Sequence, residues 1–115
     1  MIIWEQNYGG SGIDVANAVV QTNDGGYVVA GQTASNDIDV DHNQGGYDFW
    51  VLRLDANGQL KWESTFGGTN NEHAFGLCKT KDGCYVLAGF TKSSDGDVTG
   101  NHGLSDCWVL EINRQ

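Results

Sequence analysis

Positive charge is scarce in this 115-residue chain: six Lys and Arg residues stand against 15 Asp and Glu residues, which gives a net charge of −9. Nucleic acids and anionic lipid surfaces attract proteins mainly through basic side chains that neutralise phosphate groups. We therefore expect no nucleic-acid partner and no membrane partner. The same negative charge is compatible with a cationic ligand.

Long apolar runs are also lacking. No run approaches the roughly 20 residues that a membrane-spanning helix needs. Residues 1–15 contain neither the basic start nor the apolar stretch of a secretory signal peptide. The sequence thus predicts either a cytosolic protein or a chain that has been separated from its leader.

Cysteine occurs only three times, as Cys78, Cys84 and Cys107, and no CxxC pair is present. This spacing argues against a zinc site. All three residues fall in the second half of the chain, so they do not form a regular disulfide framework. We expect free thiols that are buried or partly buried as small apolar side chains.

Catalytic motifs are missing as well. The chain has no Ser-His-Asp order, no glycine-rich phosphate loop before a helix and no HExxH motif. None of the three histidines recurs when the two halves of the chain are aligned. We therefore predict that the protein is not an enzyme and has no catalytic residue.

An internal repeat dominates what is present. The segment DGGYVVAG at residues 24–31 returns as DGCYVLAG at residues 82–89. When the two halves are aligned without a gap, so that Asp24 falls on Asp82, residues 4–57 match their partners at 23 of 54 positions. The chain is therefore predicted to be one small two-part unit, with repeat 1 at about 4–61 and repeat 2 at about 62–115.

Each repeat is predicted to form four short antiparallel strands. Glycine is abundant, with 17 residues, and Gly-rich turns between short apolar runs are typical of all-β proteins. The Asp-Gly and Asn-Gly pairs at residues 24–25 and 57–58 predict tight turns. The predicted strands are residues 3–8, 16–22, 27–33, 48–55 and 60–66, and residues 34–47 form a long polar loop.

The middle strands carry apolar residues on both faces, so their sheet must lie between two neighbours, as a blade does in a β-propeller. The chain resembles bacterial tandem β-propeller repeats along nearly its whole length, through Trp, Tyr-Gly-Gly, DGGYVVAG, Asp-Gly-Asp and Asp-Tyr-Trp-Val type motifs. This resemblance implies the fold and a secreted or cell-surface origin, but no particular ligand. The first repeat departs from the motif at Ile38 and His42, where the second has Gly96 and Gly100.

Two blades cannot close a ring, and each would expose an apolar face. Residues 2–8 match the fourth strand of a blade, and the second repeat lacks such a strand. We expect residues 2–8 of one subunit to complete a blade of its neighbour, head to tail, in a closed homo-oligomer. A trimer with six blades is favoured and a tetramer with eight is second. A piece of a longer propeller would show the same register and should also oligomerise.

Acidic residues are concentrated in the long loops at one end of the predicted blades. Their spacing is similar to that of a calcium-binding loop, in which carboxylates surround a hard cation. The alternative is that these side chains cap turns by accepting hydrogen bonds from backbone amides. The predicted Ca²⁺ ligands are Asp37, Asp39, Asp41 and Asp48 in the first repeat, and Asp95, Asp97 and Asp106 in the second.

Aromatic residues provide a second candidate site. Trp50 and Trp108 occupy the same position in the two repeats, which favours packing between blades. Tyr47 and Trp50 beside the acidic loop could instead stack on a sugar ring. The sequence therefore predicts a non-enzymatic binding or scaffold module with a carbohydrate or protein ligand. The alternatives are a multivalent lectin that binds carbohydrate between blades and a carboxylate-dependent hydrolase at the central channel.

Overall fold

The chain folds into two antiparallel β-sheets. The computed structural model describes residues 1–114, so the last predicted residue of repeat 2, Gln115, lies outside them. The strands are β1 (Asp14–Gln21), β2 (Tyr27–Thr33), β3 (Asp48–Leu54), β4 (Leu60–Phe66), β5 (Glu72–Lys79), β6 (Tyr85–Thr91) and β7 (Asp106–Ile112). The first sheet has the order β1-β2-β3-β4 and the second has the order β5-β6-β7. The prediction of an all-β fold is confirmed, and residues 1–114 include no helix that could span a membrane.

Local turn chemistry defines the hairpins. Gly25, Gly58 and Gly83 have φ angles of +86°, +83° and +84°, which glycine adopts without strain. Thr22 N donates to Gly26 O at 2.9 Å and closes the β1–β2 turn. The bounds of β2 and β4 agree with the prediction, while β1 begins two residues earlier than expected.

The two sheets are copies of one another. The bounds of β1, β2 and β3 recur in β5, β6 and β7 at the offset that aligns Asp24 with Asp82. Each first strand has a bulge at the same place, between Ala16 and Ala18 and between Ala74 and Gly76. The sequence repeat is therefore also a structural repeat. Three strands of the first sheet recur in the second sheet, and the first sheet has β4 in addition.

The main core lies between the sheets, at a contact that we call the sheet junction. The front face of the first sheet contributes Val28, Ala30, Phe49 and Val51. The back face of the second sheet contributes Ala74, Tyr85, Leu87, Trp108, Leu110 and Ile112. Removal of this apolar surface from water is the principal force that holds the two repeats together.

Equivalent strands differ in burial. All seven residues of β3 are buried, whereas β7, which has the same pattern, alternates between partly buried and exposed residues. β3 lies between β2 and β4, but β7 pairs only with β6 among the strands of residues 1–114. The second sheet therefore has an open edge and an uncovered face, and the chain alone does not close a propeller ring.

Residues 1–13 form no strand in the single chain. The predicted strand at residues 2–8 pairs with neither sheet, and in the first sheet β4 already occupies the outer side of β3. The segment instead lies on that sheet, with the Trp4 ring 6.0 Å from Tyr27 and Tyr8 packed against the small core of Val40, Trp50, Leu52 and Leu54.

Ile38 adopts a backbone conformation that suits glycine. Its φ is +60°, and its counterpart Gly96 has a φ of +62°. Because a side chain in this region costs about 1–2 kcal/mol and Ile38 is exposed, Ile38→Gly is expected to raise the free energy of unfolding by about 1 kcal/mol. Urea unfolding measures the change.

The matched control is Gly96→Ala, which introduces the same strain in the second repeat. A Cβ atom at Gly96 would also collide with the backbone of Gly67. This variant should be less stable than the parent. If Ile38→Gly also lowered the urea midpoint, strain at residue 38 would not limit stability.

Candidate functional site

The acidic residues of the long loops hold those loops against the segment before each first strand. Asp37 accepts hydrogen bonds from the backbone and the hydroxyl of Ser11, both at 2.8 Å. These bonds lower the pKa of Asp37, with the backbone bond the larger cause. Asp39 accepts from Gly9 N at 3.0 Å. The two carboxylates therefore fix the loop 34–47 in place.

Four such hydrogen bonds recur at equivalent positions in the second repeat. In the first repeat these bonds join Gly9 to Asp39, Gly10 to Asp14, Ser11 to Asp37 and Gly12 to Ser35. In the second repeat the equivalent bonds join Gly67 to Asp97, Gly68 to Glu72, Thr69 to Asp95 and Asn70 to Ser93. Residues 9–12 thus contact the first sheet as residues 67–70 contact the second. The pKa of Asp95 is lowered by its bonds to Thr69, as that of Asp37 is by Ser11.

The remaining predicted calcium ligands, Asp41, Asp48 and Asp106, are held by other contacts. The backbone of Asp41 donates to Glu63 Oε2 at 3.1 Å. Asp106 accepts from His102 N at 2.6 Å, and this bond is the first cause of its lowered pKa. Asp48 is fully buried and accepts from Gln44 N at 2.7 Å.

Backbone amides therefore donate to six of the seven carboxylates that were assigned to calcium, all except Asp41. Across residues 1–114, no group of three or more His, Cys, Asp or Glu side chains is placed to hold a metal ion. The contacts match the turn-capping alternative. Binding of Ca²⁺ by these loops stays a prediction.

Two buried acids meet at the sheet junction, and the sequence did not predict this pair. Asp48 and Glu72 are both fully buried, and a Cβ atom at Gly67 would collide with Asp48 Oδ1 and Glu72 Oε1. No amide or hydroxyl within residues 1–114 donates to Asp48 Oδ1, and a hydrogen bond between Asp48 and Glu72 needs a proton on one of the two carboxyls. Burial, and then the nearby charges of Glu72 and Asp97, raise the pKa of Asp48 to about 7.

The only signal for this pair was the register of the repeat. Glu72 is the counterpart of Asp14, so the sequence shows an acid at the start of the first strand in each repeat. Nothing local indicated that it meets Asp48, which belongs to the other sheet. The sheet junction brings them together.

The predicted aromatic site is divided between two places. Tyr47 lies at the sheet junction, with its ring 5.0 Å from His73. Trp50 is 4% exposed, and its indole nitrogen donates to Glu63 Oε1 at 2.9 Å. Trp108 packs 4.8 Å from Phe49 in the main core. This position of Trp108 agrees with the packing alternative.

A cavity of about 350 Å³ lies on the back face of the first sheet. Its apolar wall includes Val29, Trp50, Leu52 and Leu54, and the segment at residues 4–8 forms one side. The counterparts of those four wall residues in the second sheet are Leu87, Trp108, Leu110 and Ile112, all of which pack in the main core. The cavity therefore occupies the place where another sheet lies at the sheet junction.

No protein-family model matches the chain, and no curated protein matches it either. The candidate site is therefore defined by its geometry. Two features stand out, the open edge of β7 and the apolar cavity on the first sheet.

Proposed function

We propose that the chain is a non-enzymatic β-propeller subunit that assembles head to tail into a closed ring and serves as a binding scaffold. Residues 2–8 of one copy add to the open edge of β7 in the next and complete its blade. The ring has six blades as a trimer, with eight blades as a tetramer the second choice. Its acidic loops lie together on one face.

The supporting observation is the position of the N-terminal segment. The four repeated hydrogen bonds hold residues 9–12 on the first sheet as residues 67–70 are held on the second. Residues 67–70 follow β4, which pairs with β3. By the same relation, we expect residues 2–8 to pair with a strand equivalent to β3, which is β7 of another copy.

One specific contact follows from this pairing. Trp50 donates its indole N–H to Glu63, on β4. In the alignment of the two repeats, Trp108 is the counterpart of Trp50 and Glu5 is the counterpart of Glu63, so the equivalent pair joins Trp108 of one copy to Glu5 of the next. The added strand thus brings an acceptor for Trp108 as well as backbone hydrogen bonds.

A ring would give the acidic loops a collective role. Each copy carries two sets of loop carboxylates, so several sets would surround one axis on the same face. Several weak sites on a rigid scaffold bind a multivalent partner more tightly than one site does. A protein or carbohydrate ligand that engages this face is the partner class that the assembly fits.

The two alternative functions lack a comparable observation. A lectin would need Tyr47 and Trp50 to form a common platform, and these rings contact different neighbours. A hydrolase would need an accessible pair of carboxyls, and the neighbouring carboxyls of Asp48 and Glu72 are fully buried in the single chain.

Light scattering tests the assembly. The expected mass is three or four times the 12.4 kDa of one chain. The double substitution Glu5→Pro with Gln6→Pro should reduce it to one chain, because proline cannot donate to a strand ladder and consecutive residues alternate in that ladder. Residues 2–8 form no strand in the single chain, so its fold should survive.

The matched control is Glu5→Ala with Gln6→Ala, which keeps the backbone donors and should retain most of the mass. A folded parent protein that stays monomeric at high concentration would overturn the proposed assembly. An oligomer that is unaffected by the two prolines would overturn the pairing of residues 2–8 with β7.

A further inference from the structure

Two buried oxygens near the sheet junction have no hydrogen-bond donor within residues 1–114. They are Asp48 Oδ1 and Gln44 Oε1, and both are out of contact with bulk water. Asp48 as a whole is fully buried. Because buried polar atoms are almost always partnered, two unpaired acceptors in one region indicate an occupant that both can contact.

A hydrogen-bond network brings these two oxygens to the same region. Gln44 N donates to Asp48 Oδ2 at 2.7 Å, and Gln44 Nε2 donates to Asp97 Oδ2 at 3.0 Å. Asp97 Oδ2 also accepts from Gly67 N at 3.0 Å. The Gln44 side chain therefore runs between two carboxylates. Its bond to Asp97 fixes the orientation of the amide, so the oxygen is the atom that remains for an occupant.

Glu72 supplies a third oxygen. Glu72 Oε1 and Asp48 Oδ1 both lie within 2.6 Å of the position that a Cβ atom of Gly67 would take. Oxygens that converge in this way are within reach of one Ca²⁺ ion, which bonds oxygen at about 2.3–2.6 Å. Glu72 Oε1 accepts from Gly68 N at 3.0 Å, and a carboxylate oxygen has a second lone pair to offer.

The chemistry of these three oxygens selects the occupant. Carboxylate and amide oxygens are the ligands of hard cations, and two carboxylates match the charge of a divalent ion. Mg²⁺ requires near-ideal octahedral geometry and usually keeps several of its waters, which a buried site does not accommodate. Ca²⁺ accepts flexible geometry and protein oxygens, so it fits this region better.

We propose that the sheet junction holds a Ca²⁺ ion between Asp48 Oδ1, Glu72 Oε1 and Gln44 Oε1. This site differs from the calcium loops expected from the sequence, because its ligands come from both repeats and one of them is an amide. The ion ties the loop 34–47 of the first repeat to the start of β5 in the second. All of its ligands belong to one chain, so the site does not depend on assembly.

The second repeat provides a matched control. Asp106 is the counterpart of Asp48, and His102 is the counterpart of Gln44. Asp106 is partly exposed, and Asp106 Oδ2 lies 3.0 Å from the His102 ring nitrogen Nδ1. Asp106→Asn should therefore leave binding of Ca²⁺ by the monomer unchanged, whereas Asp48→Asn removes a charged ligand.

Urea unfolding of the monomer at pH 8, in EDTA or in Ca²⁺ at constant ionic strength, measures the effect of the ion. An ion that binds only the folded chain lowers the unfolding constant about 100-fold at about 100 times its Kd. Calorimetric titration supplies that Kd. The parent and Asp106→Asn should show the effect, while Asp48→Asn and Gln44→Ala should lose most of it. The same concentration of Mg²⁺ should change the constant less than about threefold.

Terbium luminescence tests whether the ion is buried. Tb³⁺ replaces Ca²⁺ in oxygen sites, and its decay times in H₂O and D₂O give the number of coordinated waters. An ion inside the sheet junction should keep no more than about one water, because the surrounding protein excludes solvent. An ion held by the exposed loop carboxylates would keep several.

The outcomes decide between the ion and its competitors. Loss of the Ca²⁺ effect in Asp48→Asn, with a nearly dry Tb³⁺ ion in the parent, supports the site. An unfolding constant that is the same in EDTA and in Ca²⁺ overturns it, and a proton shared by Asp48 and Glu72 then accounts for the unpaired oxygen. A Ca²⁺ effect that survives Asp48→Asn, or a Tb³⁺ ion with several waters, also overturns it. If Asp48→Asn fails to fold, Gln44→Ala decides, because Gln44 is a partly exposed loop residue.

Discussion

Replacement of Phe49 by Ala is expected to lower the free energy of unfolding by about 3–5 kcal/mol. The ring is fully buried in the main core and packs 4.8 Å from Trp108 of the other sheet. Its removal leaves a cavity at the contact that joins the two repeats. Urea unfolding at a concentration where the chain is monomeric measures the loss.

Cys107→Ala is the matched control, because Cys107 occupies the same position in the second repeat. Its side chain is exposed in the single chain, so the monomer should lose less than about 1 kcal/mol. Similar losses for the two variants would mean that the first sheet is no better covered than the second. The contrast therefore tests the asymmetry between the two repeats.

The single-chain fold was largely predictable because its signals are local. The Asp-Gly and Asn-Gly turns require glycine at a positive φ, and they set the starts of β2, β4 and β6. Alternation of apolar residues then indicated the strand faces. The closed ring and its blade number remain expectations, since they depend on contacts between copies.

The burial of each strand was not predictable from its own residues. β3 and β7 share the residues Trp, Val and Leu at equivalent positions, yet β3 is buried throughout and β7 is not. The difference comes from neighbouring elements, because β4 lies beside β3 and the second sheet covers the front face of the first sheet. For the same reason residues 2–8, which match β4, form no strand in the single chain.

The chemistry of the acidic loops was predictable only as two alternatives. The spacing of Asp37, Asp39 and Asp41 fits either calcium or turn capping, because both use carboxylate oxygens. The partners that the structure supplies, the backbone amides of Gly9 and Ser11, come from a segment that precedes β1 and is distant in sequence. No local pattern indicates such a partner.

The acid pair at the sheet junction gives the second large effect. The pKa of Asp48 is raised from 3.8 to about 7, first by burial and then by the charges of Glu72 and Asp97. Between these pH values the folded chain holds a proton that the unfolded chain has released. Stability therefore falls as the pH rises from about 4 to about 7, and the cost is complete above about pH 7.

Asp48→Asn removes this cost. The amide is neutral at every pH, its oxygen can still accept from Gln44 N, and its NH₂ group can donate towards Glu72. Because one pKa unit corresponds to about 1.4 kcal/mol, the variant should be more stable than the parent by about 2–4 kcal/mol at pH 8. At pH 4 the two proteins should differ by less than about 1 kcal/mol, since Asp48 is then protonated.

Asp106→Asn is the matched control, because Asp106 is the counterpart of Asp48 and its pKa is lowered, not raised. This substitution should not remove the fall in stability between pH 4 and 7. Urea unfolding of the parent, Asp48→Asn and Asp106→Asn as monomers at pH 4, 6 and 8 gives the dependence of stability on pH for each protein. If the parent and Asp48→Asn lost stability in parallel as the pH rose, Asp48 would not hold a proton at the junction. If only Asp48→Asn lost its pH dependence, the sheet junction would be the pH-sensitive part of the fold.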